Sequence, residues 1–314
     1  MRHLAQRRLG AWYWRLFWLL PLGLLFWVGR DRSHSAPELV WGQRGTQPGD
    51  LVRPRAAAID AQDRLYIVDF TARIQVFDRN GQFQSLCWTT PDYRNGRPSG
   101  LSIDRDGNLL VSDSHYHCLR IYSLEGKELR KIGGEAGTGP GQLAYVSDAV
   151  QDEEGYYYIA EFCENHRISK FDSAGHFVKC WGHEGTLPSE FGRIRALALG
   201  PDRNLYVVDS TNHRIQVFTR EGEFVRCWGQ PGEERGQLSY PSDLAFGKHG
   251  EAYVVERGNC RVQKFALDGT SLGCWGGRGR LPGTFYEPWA LVIDSRGRVH
   301  VIDTENHRVQ RIEF

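Results

Sequence analysis

Between residues 39 and 314, apolar residues occur in short runs in which they alternate with polar residues or follow one another directly. Residues 205–208 and 215–218 are such runs. Turn sequences with Asp, Ser and Gly, such as residues 104–107 and 172–175, separate the runs, and no helical spacing of apolar residues lies between them. This pattern predicts many short antiparallel strands.

The strand pattern repeats about every 47 residues. Equivalent positions at the start of the third strand of each copy are 45, 49, 47, 47 and 47 residues apart: Arg73, Cys118, Arg167, Arg214, Arg261 and Arg308. Each copy contains four predicted strands, and helix-free repeats of this length are typical of propeller blades. The sequence therefore predicts an all-β fold, a six-bladed β-propeller with four antiparallel strands per blade.

The last copy ends at Phe314, after its third strand. A match to the missing outer strand lies before the first copy, where residues 39–42 (LVWG) resemble the outer-strand endings at 180–182 (CWG) and 227–229 (CWG). Pairing this N-terminal strand with the last copy would close the ring and leave no unpaired edge. We therefore expect the propeller to comprise residues 38–314.

A different pattern precedes the repeats. Residues 16–28 (LFWLLPLGLLFWV) carry no charge, and residues 9–29 are long enough to span a bilayer if Arg15 reaches the interface. A cleaved signal peptide and a soluble hydrophobic helix are the alternatives. We predict a basic segment at 1–8, one transmembrane helix that acts as a signal anchor at 9–29, and a linker at 30–37. Because positive charge is denser before the span, the N-terminus should be cytoplasmic and the propeller extracytoplasmic.

Charge and cysteine content limit the function. The formal net charge of +1 is the sum of a basic segment at residues 1–29 and a slightly acidic remainder, which has 35 basic and 38 acidic residues. This balance disfavours nucleic-acid binding. The seven cysteines form no C-x-x-C pair, which argues against a zinc finger, a RING-type module or a thioredoxin-type motif.

A tripeptide motif marks several third strands. Asn-His-Arg occurs at residues 165–167, 212–214 and 306–308, each time followed by Ile or Val. Together with segments such as 69–77 (DFTARIQVF), it resembles the NHL repeat. The chain is similar to bacterial NHL proteins with one N-terminal membrane segment. The resemblance implies the propeller fold for residues 38–314 but no particular function, because propellers of this family have unrelated functions.

Residue types that recur in every copy are interpreted as structural. The second strand ends in an acid in all six copies and the third begins with Arg in five, so we expect an ion pair across the turn. The neighbouring histidines lie in separate blades, too far apart to share one metal ion: His117, His166, His213 and His307. The cysteines of the Cys-Trp pairs occupy equivalent outer-strand positions and should be buried and unpaired.

Positions that break the symmetry are the candidates for function. At the entrances of the innermost strands, Arg on three blades and Asp on two could form an anion-binding or polar-ligand pocket; a solvated surface is the alternative. The candidate ligand-binding residues of this channel rim are Arg53, Arg55, Arg97, Asp148, Arg193, Arg195, Asp243 and Trp289. His115, His117 and Cys118 are weaker candidates for a soft divalent metal, because consecutive turn residues do not all point one way. A disulfide between Cys118 and Cys163 is a further possibility outside the cytoplasm.

The expected function is binding. We expect a membrane-anchored, non-catalytic scaffold whose loop face binds a protein, peptide or glycan. A metal-dependent propeller hydrolase or lyase with its site in the central channel is the alternative. The resemblance implies zinc-bound His in amidating lyases and calcium held by acids and Asn in lactonase-like propellers, but the innermost strands contain no His or Asn. We therefore predict no catalytic residue, no cofactor (calcium and zinc being possible but unsupported) and no nucleic-acid partner.

Overall fold

The computed structural model describes residues 36–91 and 96–314. Within these ranges the chain forms six four-stranded antiparallel sheets and one short two-stranded parallel sheet. Each four-stranded sheet is one blade, so the predicted six-bladed propeller is confirmed. The predicted anchor at residues 9–29 lies outside the described residues, and no helix within them is long and apolar enough to cross a bilayer.

In every blade the inner strand lies at the central channel and the outer strand lies at the outside of the propeller. The inner, second, third and outer strands are Ala56–Ile59, Leu65–Val68, Arg73–Phe77 and Phe83–Thr89 in blade 1; Pro98–Ile103, Leu109–Asp113, Cys118–Tyr122 and Glu128–Gly133 in blade 2; Val146–Gln151, Tyr157–Glu161, Ile168–Phe171 and Phe177–Trp181 in blade 3; Ile194–Leu199, Leu205–Asp209, Arg214–Phe218 and Phe224–Trp228 in blade 4; Pro241–Phe246, Ala252–Glu256, Arg261–Phe265 and Ser271–Gly276 in blade 5; and Ala290–Ile293, Val299–Asp303, Arg308–Ile312 and Leu39–Trp41 in blade 6. The short parallel pair is His183–Glu184 with Glu190–Phe191, and 3-10 turns occupy Ser114–Tyr116, Ser210–Asn212 and Thr304–Asn306.

The ring closes by the predicted exchange of strands. Leu39–Trp41 pairs antiparallel with Arg308–Ile312, and Val40 lies opposite Gln310. Blade 6 therefore takes its outer strand from the N-terminal end of the propeller and its other three strands from the C-terminal end. This pairing leaves no open gap between the first and last blades.

The core is divided among the six interfaces between neighbouring blades. Second and third strands are buried on both faces, as in Leu205–Asp209, which explains their nearly continuous apolar sequences. Between blades 4 and 5, Tyr206, Val254 and Phe265 belong to one buried cluster. Five further clusters fill the other interfaces. Because every interface has its own apolar cluster, the blades do not need side chains in the central channel to pack together.

The recurrent acid and Arg form the predicted ion pair. In blade 4, Arg214 Nε donates to Asp209 Oδ2 over 2.8 Å. The equivalent pairs are Asp69–Arg73, Glu161–Arg167, Glu256–Arg261 and Asp303–Arg308. Arg214 also donates to the carbonyls of Thr186 and Glu190 in the loop that enters the blade, and Asp209 accepts the amide of Gly192 there. The pair therefore fixes the entering loop as well as the turn.

Blade 2 keeps this interaction although Cys118 stands at the usual Arg position. Arg120, two residues later, donates to Asp113 over 2.8 Å and to Glu128 over 3.1 Å. Cys118 lies buried in its strand, and burial raises the pKa of its thiol to about 12. The acid of every blade thus has an Arg partner.

Three of the four histidines beside the recurrent Arg connect neighbouring blades. Their imidazole Nδ1 accepts a backbone N–H from the loop that enters the next blade. The pairs are His117 with Tyr145, His213 with Tyr240, and His307 with Arg53. The predicted structural role is confirmed for these three.

One expectation about the cysteines is wrong. Cys87, Cys180 and Cys227 are exposed in the outer strands instead of being buried, and Cys274 is half-buried. Successive side chains of a strand point to opposite faces. Since Trp228 turns into the cluster between blades 4 and 5, the preceding cysteine points away from it. All seven thiols are free, so no disulfide joins Cys118 to Cys163.

Candidate anion-binding site at the channel mouth

The inner strands place six equivalent residues around the central channel. They are Ala56, Gly100, Asp148, Ala196, Asp243 and Ala290. With their neighbours they line a cavity of about 30 Å³, here called the inner chamber, which has room for only a few water-sized molecules. The channel at this level is therefore narrow.

An outer chamber of about 100 Å³ lies on the side of the channel where the inner strands begin. Arg195, Ser242 and Trp289 line both chambers and form the wall between them. The other residues that line the outer chamber are Arg193, Ser210, Thr211, Tyr240 and Arg257. No Asp or Glu of the described chain is among its lining residues, so the chamber is strongly basic.

Trp289 holds three guanidinium groups at this wall. The Cζ atoms of Arg55, Arg195 and Arg257 lie 4.9, 4.7 and 6.0 Å from the centre of its ring. These arginines come from blades 1, 4 and 5, and Trp289 comes from blade 6. Each contact over a ring face is worth about 0.5 to 2 kcal/mol. One indole therefore gathers positive charge from blades on both sides of the channel.

Phe70 extends the cluster toward blade 2. Its ring centre lies 4.8 Å from Cζ of Arg53, 5.7 Å from Cζ of Arg55 and 4.0 Å from Cζ of Arg97. Since Arg55 contacts both Phe70 and the indole of blade 6, rings and guanidinium groups alternate around the mouth. On the blade 3 side, Phe162 receives a further guanidinium in the same way, because Cζ of Arg193 lies 4.5 Å from its ring centre.

The charges at the mouth are poorly compensated. Arg53 pairs with Glu305 at the edge, but Arg55 has no ion pair with any described carboxylate. Burial, followed by the charges of Arg97, Arg193 and Arg53, lowers the pKa of Arg55 to about 10. Its Nε is buried without a hydrogen-bond partner in the described structure. The mouth therefore presents guanidinium groups that are held by rings instead of by acids.

Arg195 lies at the centre of this repulsion. Burial, and then the charges of Arg193, Arg55 and Arg257, lower its pKa to about 9, while Asp243 acts in the opposite direction. The group stays protonated near neutral pH. It is therefore a cation that the surrounding structure destabilises.

The inner chamber holds two carboxylates, Asp148 and Asp243. Each accepts a backbone N–H of the next blade, from Leu197 over 2.9 Å and from Leu291 over 3.0 Å. Burial raises the pKa of Asp243 to about 7 and that of Asp148 well above its usual range, and the charge of Asp243 adds to the second shift. A Cβ added at Gly100 would lie 2.4 Å from Asp148 Oδ1. The carboxylate thus occupies the space that a side chain of blade 2 would take.

Comparison with known proteins identifies the repeats. The NHL repeat family matches residues 95–122, 191–218, 238–265 and 285–312, which lie in blades 2, 4, 5 and 6. The chain therefore contains NHL repeats. The mouse peptidyl-glycine alpha-amidating monooxygenase is 31% identical over 118 residues, which cover 34% of this chain and 12% of the mouse protein. The protein brain tumor of Drosophila melanogaster is 26% identical over 148 residues, which cover 45% of this chain and 14% of the fly protein.

Solved propellers resemble this NHL propeller in fold. A gluconolactonase from Xanthomonas campestris superimposes with a TM-score of 0.64 and 15% identity, covering 84% of this chain and 87% of the enzyme. The virginiamycin B lyase of Staphylococcus aureus gives a TM-score of 0.58 and 15% identity, covering 83% of this chain and 84% of the lyase. At these identities the likeness extends to the fold alone.

The NHL propeller brings all eight predicted rim residues to one mouth of the channel. Those that line the inner chamber are Arg55, Asp148, Arg195, Asp243 and Trp289. Arg193 lines the outer chamber, and Arg53 and Arg97 contact Phe70 beside the first group. Their role in ligand binding remains a prediction.

The mouth residues that were not predicted include Phe70, Phe162 and Arg257. Each directly follows the acid that ends a second strand. In the six blades this position is occupied by Phe70, Ser114, Phe162, Ser210, Arg257 and Thr304. Comparing this column between the copies would have singled out Arg257 as its one cation, but only the structure shows that the column faces the channel mouth.

The weaker metal candidates of the NHL propeller do not converge. His115 is exposed, and Cys118 is buried in the third strand of blade 2. The Nδ1 of His117 accepts the amide of Tyr145 over 3.1 Å. Across residues 36–91 and 96–314, no three His, Cys, Asp or Glu side chains are placed to hold one metal ion.

The opposite end of the channel is lined by apolar side chains together with the carboxylates Asp148 and Asp243. A wider opening of about 510 Å³ is lined there by side chains such as Ile59, Ile103, Leu199, Phe246 and Ile293. These residues lie at the ends of the inner strands, whereas the arginine-lined mouth lies at the beginnings of the same strands. The two openings of the channel therefore differ sharply in charge.

Proposed function

We propose that this chain is a membrane-anchored, non-catalytic scaffold whose NHL propeller binds the anionic group of a protein, peptide or glycan at the arginine-lined mouth. The observation that carries the proposal is the group formed by Arg55, Arg195 and Arg257 around Trp289, without an ion-pair partner among the described residues. Gathering like charges costs free energy. An oxyanion bound between them would offset that cost with charge-assisted hydrogen bonds.

Arginines with a structural role look different in this propeller. Arg214 and Arg261 pair with buried acids over 2.8 and 2.6 Å, and their remaining N–H groups donate to loop carbonyls. At the mouth, ring faces take the place of acids. A ring covers the face of a guanidinium but not its edge, where the N–H donors lie. The mouth therefore holds oriented donors that no acid occupies, as a binding site requires.

A metal-dependent hydrolase or lyase is the alternative function, and relatives that are named monooxygenase, lactonase and lyase share the fold or part of the sequence. The residues of the inner chamber do not fit a divalent cation. Asp148 and Asp243 already accept backbone N–H groups, and Arg55 and Arg195 line the same small cavity. A dication would therefore lie against two guanidinium groups. We derive no metal-dependent step for this site.

The anchor and its orientation belong to the same proposal. Residues 9–29 would hold the propeller at the outer face of a membrane, with residues 1–8 in the cytoplasm, because basic residues precede the span. A membrane-impermeant thiol label tests this topology, since Cys180 and Cys227 are exposed on the propeller. Labelling from the extracytoplasmic side is expected. Labelling that requires access from the cytoplasmic side would overturn the orientation.

Partner capture tests the binding function. The full chain, solubilised from membranes in detergent, is used as bait beside Arg55→Ala/Arg195→Ala and beside the control Arg105→Ala/Arg296→Ala, which removes the same charge from exposed turns at the other end of the blades. We expect a partner that is retained by wild type and control and lost from the mouth variant. An identical set of partners for all three baits would contradict the proposal.

A further inference from the structure

The outer chamber has the donors for more than one negative charge. Arg193, Arg195 and Arg257 line it, and no acid of the described chain is among its lining residues. Ser210 and Thr211 line the same space. A single carboxylate would compensate only one of the three cations. A ligand that compensates most of the charge must therefore carry at least two negative charges.

The rings at the mouth are already occupied. Trp289 has Arg55, Arg195 and Arg257 over or beside its ring, and Phe162 has Arg193. They are consequently not free to stack on an aromatic ligand. Their effect is to hold the guanidinium groups in place, which reduces the side-chain entropy that binding would otherwise cost. The recognition element is thus a set of preoriented N–H donors.

We infer that the anionic group bound in the outer chamber is a tetrahedral dianion of the phosphate type, either inorganic phosphate or a phosphomonoester on a larger ligand. The inference rests on the proposed function and specifies its ligand. The three peripheral oxygens of a tetrahedral group can accept hydrogen bonds from several directions, whereas a planar carboxylate offers only two oxygens in one plane. The guanidinium groups reach the chamber from blades 4 and 5, so the donors approach from different sides. The chamber volume of about 100 Å³ suits a compact group of this kind.

Arg195 is the residue on which binding should depend most. It lies in the wall between the chambers and is the most strongly destabilised cation of the mouth, with burial and three neighbouring guanidinium groups acting against its charge. A dianion next to Arg195 would relieve this repulsion. Lysine at this position would keep the charge but lose the fork of donors. Arg195→Lys therefore separates the need for charge from the need for geometry.

Isothermal titration calorimetry on the purified full chain in detergent tests the inference. The probes are inorganic phosphate, sulfate, phenyl phosphate, succinate and benzoate, all at pH 7.5 and equal ionic strength. We expect phosphate, sulfate and phenyl phosphate to bind at one site, and both carboxylates to bind at least about tenfold more weakly. On lowering the pH to 5.5, phenyl phosphate should bind more weakly while sulfate does not, because a phosphomonoester takes up a proton near pH 6.

Variants locate the site and separate the outcomes. Arg257→Gln and Arg195→Lys should each weaken phosphate binding at least about tenfold, whereas Arg296→Gln, an exposed turn residue at the other end of the blades, should leave it unchanged. Thermal melting of each variant shows whether it is folded. If succinate, which also carries two negative charges, binds as tightly as phosphate, the inference of a tetrahedral phosphate-type group is wrong while the proposed anion site stands. If no probe binds wild type and partner capture is also independent of the mouth, both proposals fail.

Discussion

Asp243 offers a sharp test of the electrostatics of the channel. Its carboxylate lies in the inner chamber, accepts the amides of Leu244 and Leu291, and has Arg195 as its compensating cation. Asp148 is the other acid of the chamber, and Arg55 is its other cation. The perturbation is Asp243→Asn, which keeps the size of the side chain and removes its charge.

The expected effect follows from the pKa of Asp243, which burial raises to about 7 in the folded chain. The pKa in the unfolded chain is about 3.9. Because the folded protein binds this proton more tightly, the acid costs nothing below about pH 4 and progressively destabilises the fold as the pH rises toward 7. Between pH 5 and pH 8 the cost grows by about 2 to 3 kcal/mol. For a domain of this size, that difference corresponds to about 5 °C in melting temperature.

Thermal melting of wild type and Asp243→Asn at several pH values is the assay. Asparagine cannot accept both backbone amides as an aspartate does. This loss lowers the melting temperature of the variant by an amount that does not depend on pH. The melting temperatures of the two proteins, plotted against pH, should therefore diverge between pH 5 and pH 8. The melting temperature of the variant should rise relative to that of wild type as the pH rises. The control Asp106→Asn removes an exposed acid, and its melting temperature should change with pH in the same way as that of wild type. Parallel curves for Asp243→Asn would refute the placement of a destabilised charge in the channel.

Three further substitutions test other parts of the propeller by thermal melting. Gly100→Ala should destabilise it by about 1 to 3 kcal/mol, because the new Cβ meets Asp148 Oδ1 at 2.4 Å, whereas Gly273→Ala, with no atom within 4 Å, should be neutral. Asp209→Asn breaks a buried ion pair and should cost about 3 to 5 kcal/mol; a neutral result would contradict the structural role of the recurrent acid. Arg195→Met should raise the melting temperature while it weakens anion binding, because it removes a cation that its neighbours repel; a lower melting temperature would count against that repulsion.

Repetition made the fold predictable from the sequence. Once Arg214 and its counterparts were aligned, each uncertain strand could be assigned from five others, and the match of residues 39–42 to the outer strands gave the closure. The same alignment separated recurrent residues from exceptions. The alignment did not give the direction of one side chain. Cys227 was expected to be buried as a small apolar residue, but Trp228 beside it is the buried one, and adjacent residues in a strand face opposite ways.

The candidate site was only partly predictable. The rim arginines could be found because they stand in equivalent columns at the start of the inner strands. The contacts between them could not, because Trp289 reaches guanidinium groups of blades 1, 4 and 5, and no periodicity within one blade encodes a contact across the ring. Arg257 was missed for a related reason, since its column lies after the second strand and faces the mouth only once the blades are assembled.

The cluster of like charges is tolerable because the blades are stabilised elsewhere. Each interface has its own apolar cluster, as between blades 4 and 5, and each blade has its own buried ion pair, as between Asp209 and Arg214. Neither contribution depends on the residues at the channel mouth. The mouth positions can therefore carry a destabilising group such as Arg195 without loss of the fold. Substitutions at the recurrent acids should consequently destabilise the fold, whereas substitutions at the mouth arginines should weaken binding without unfolding the propeller.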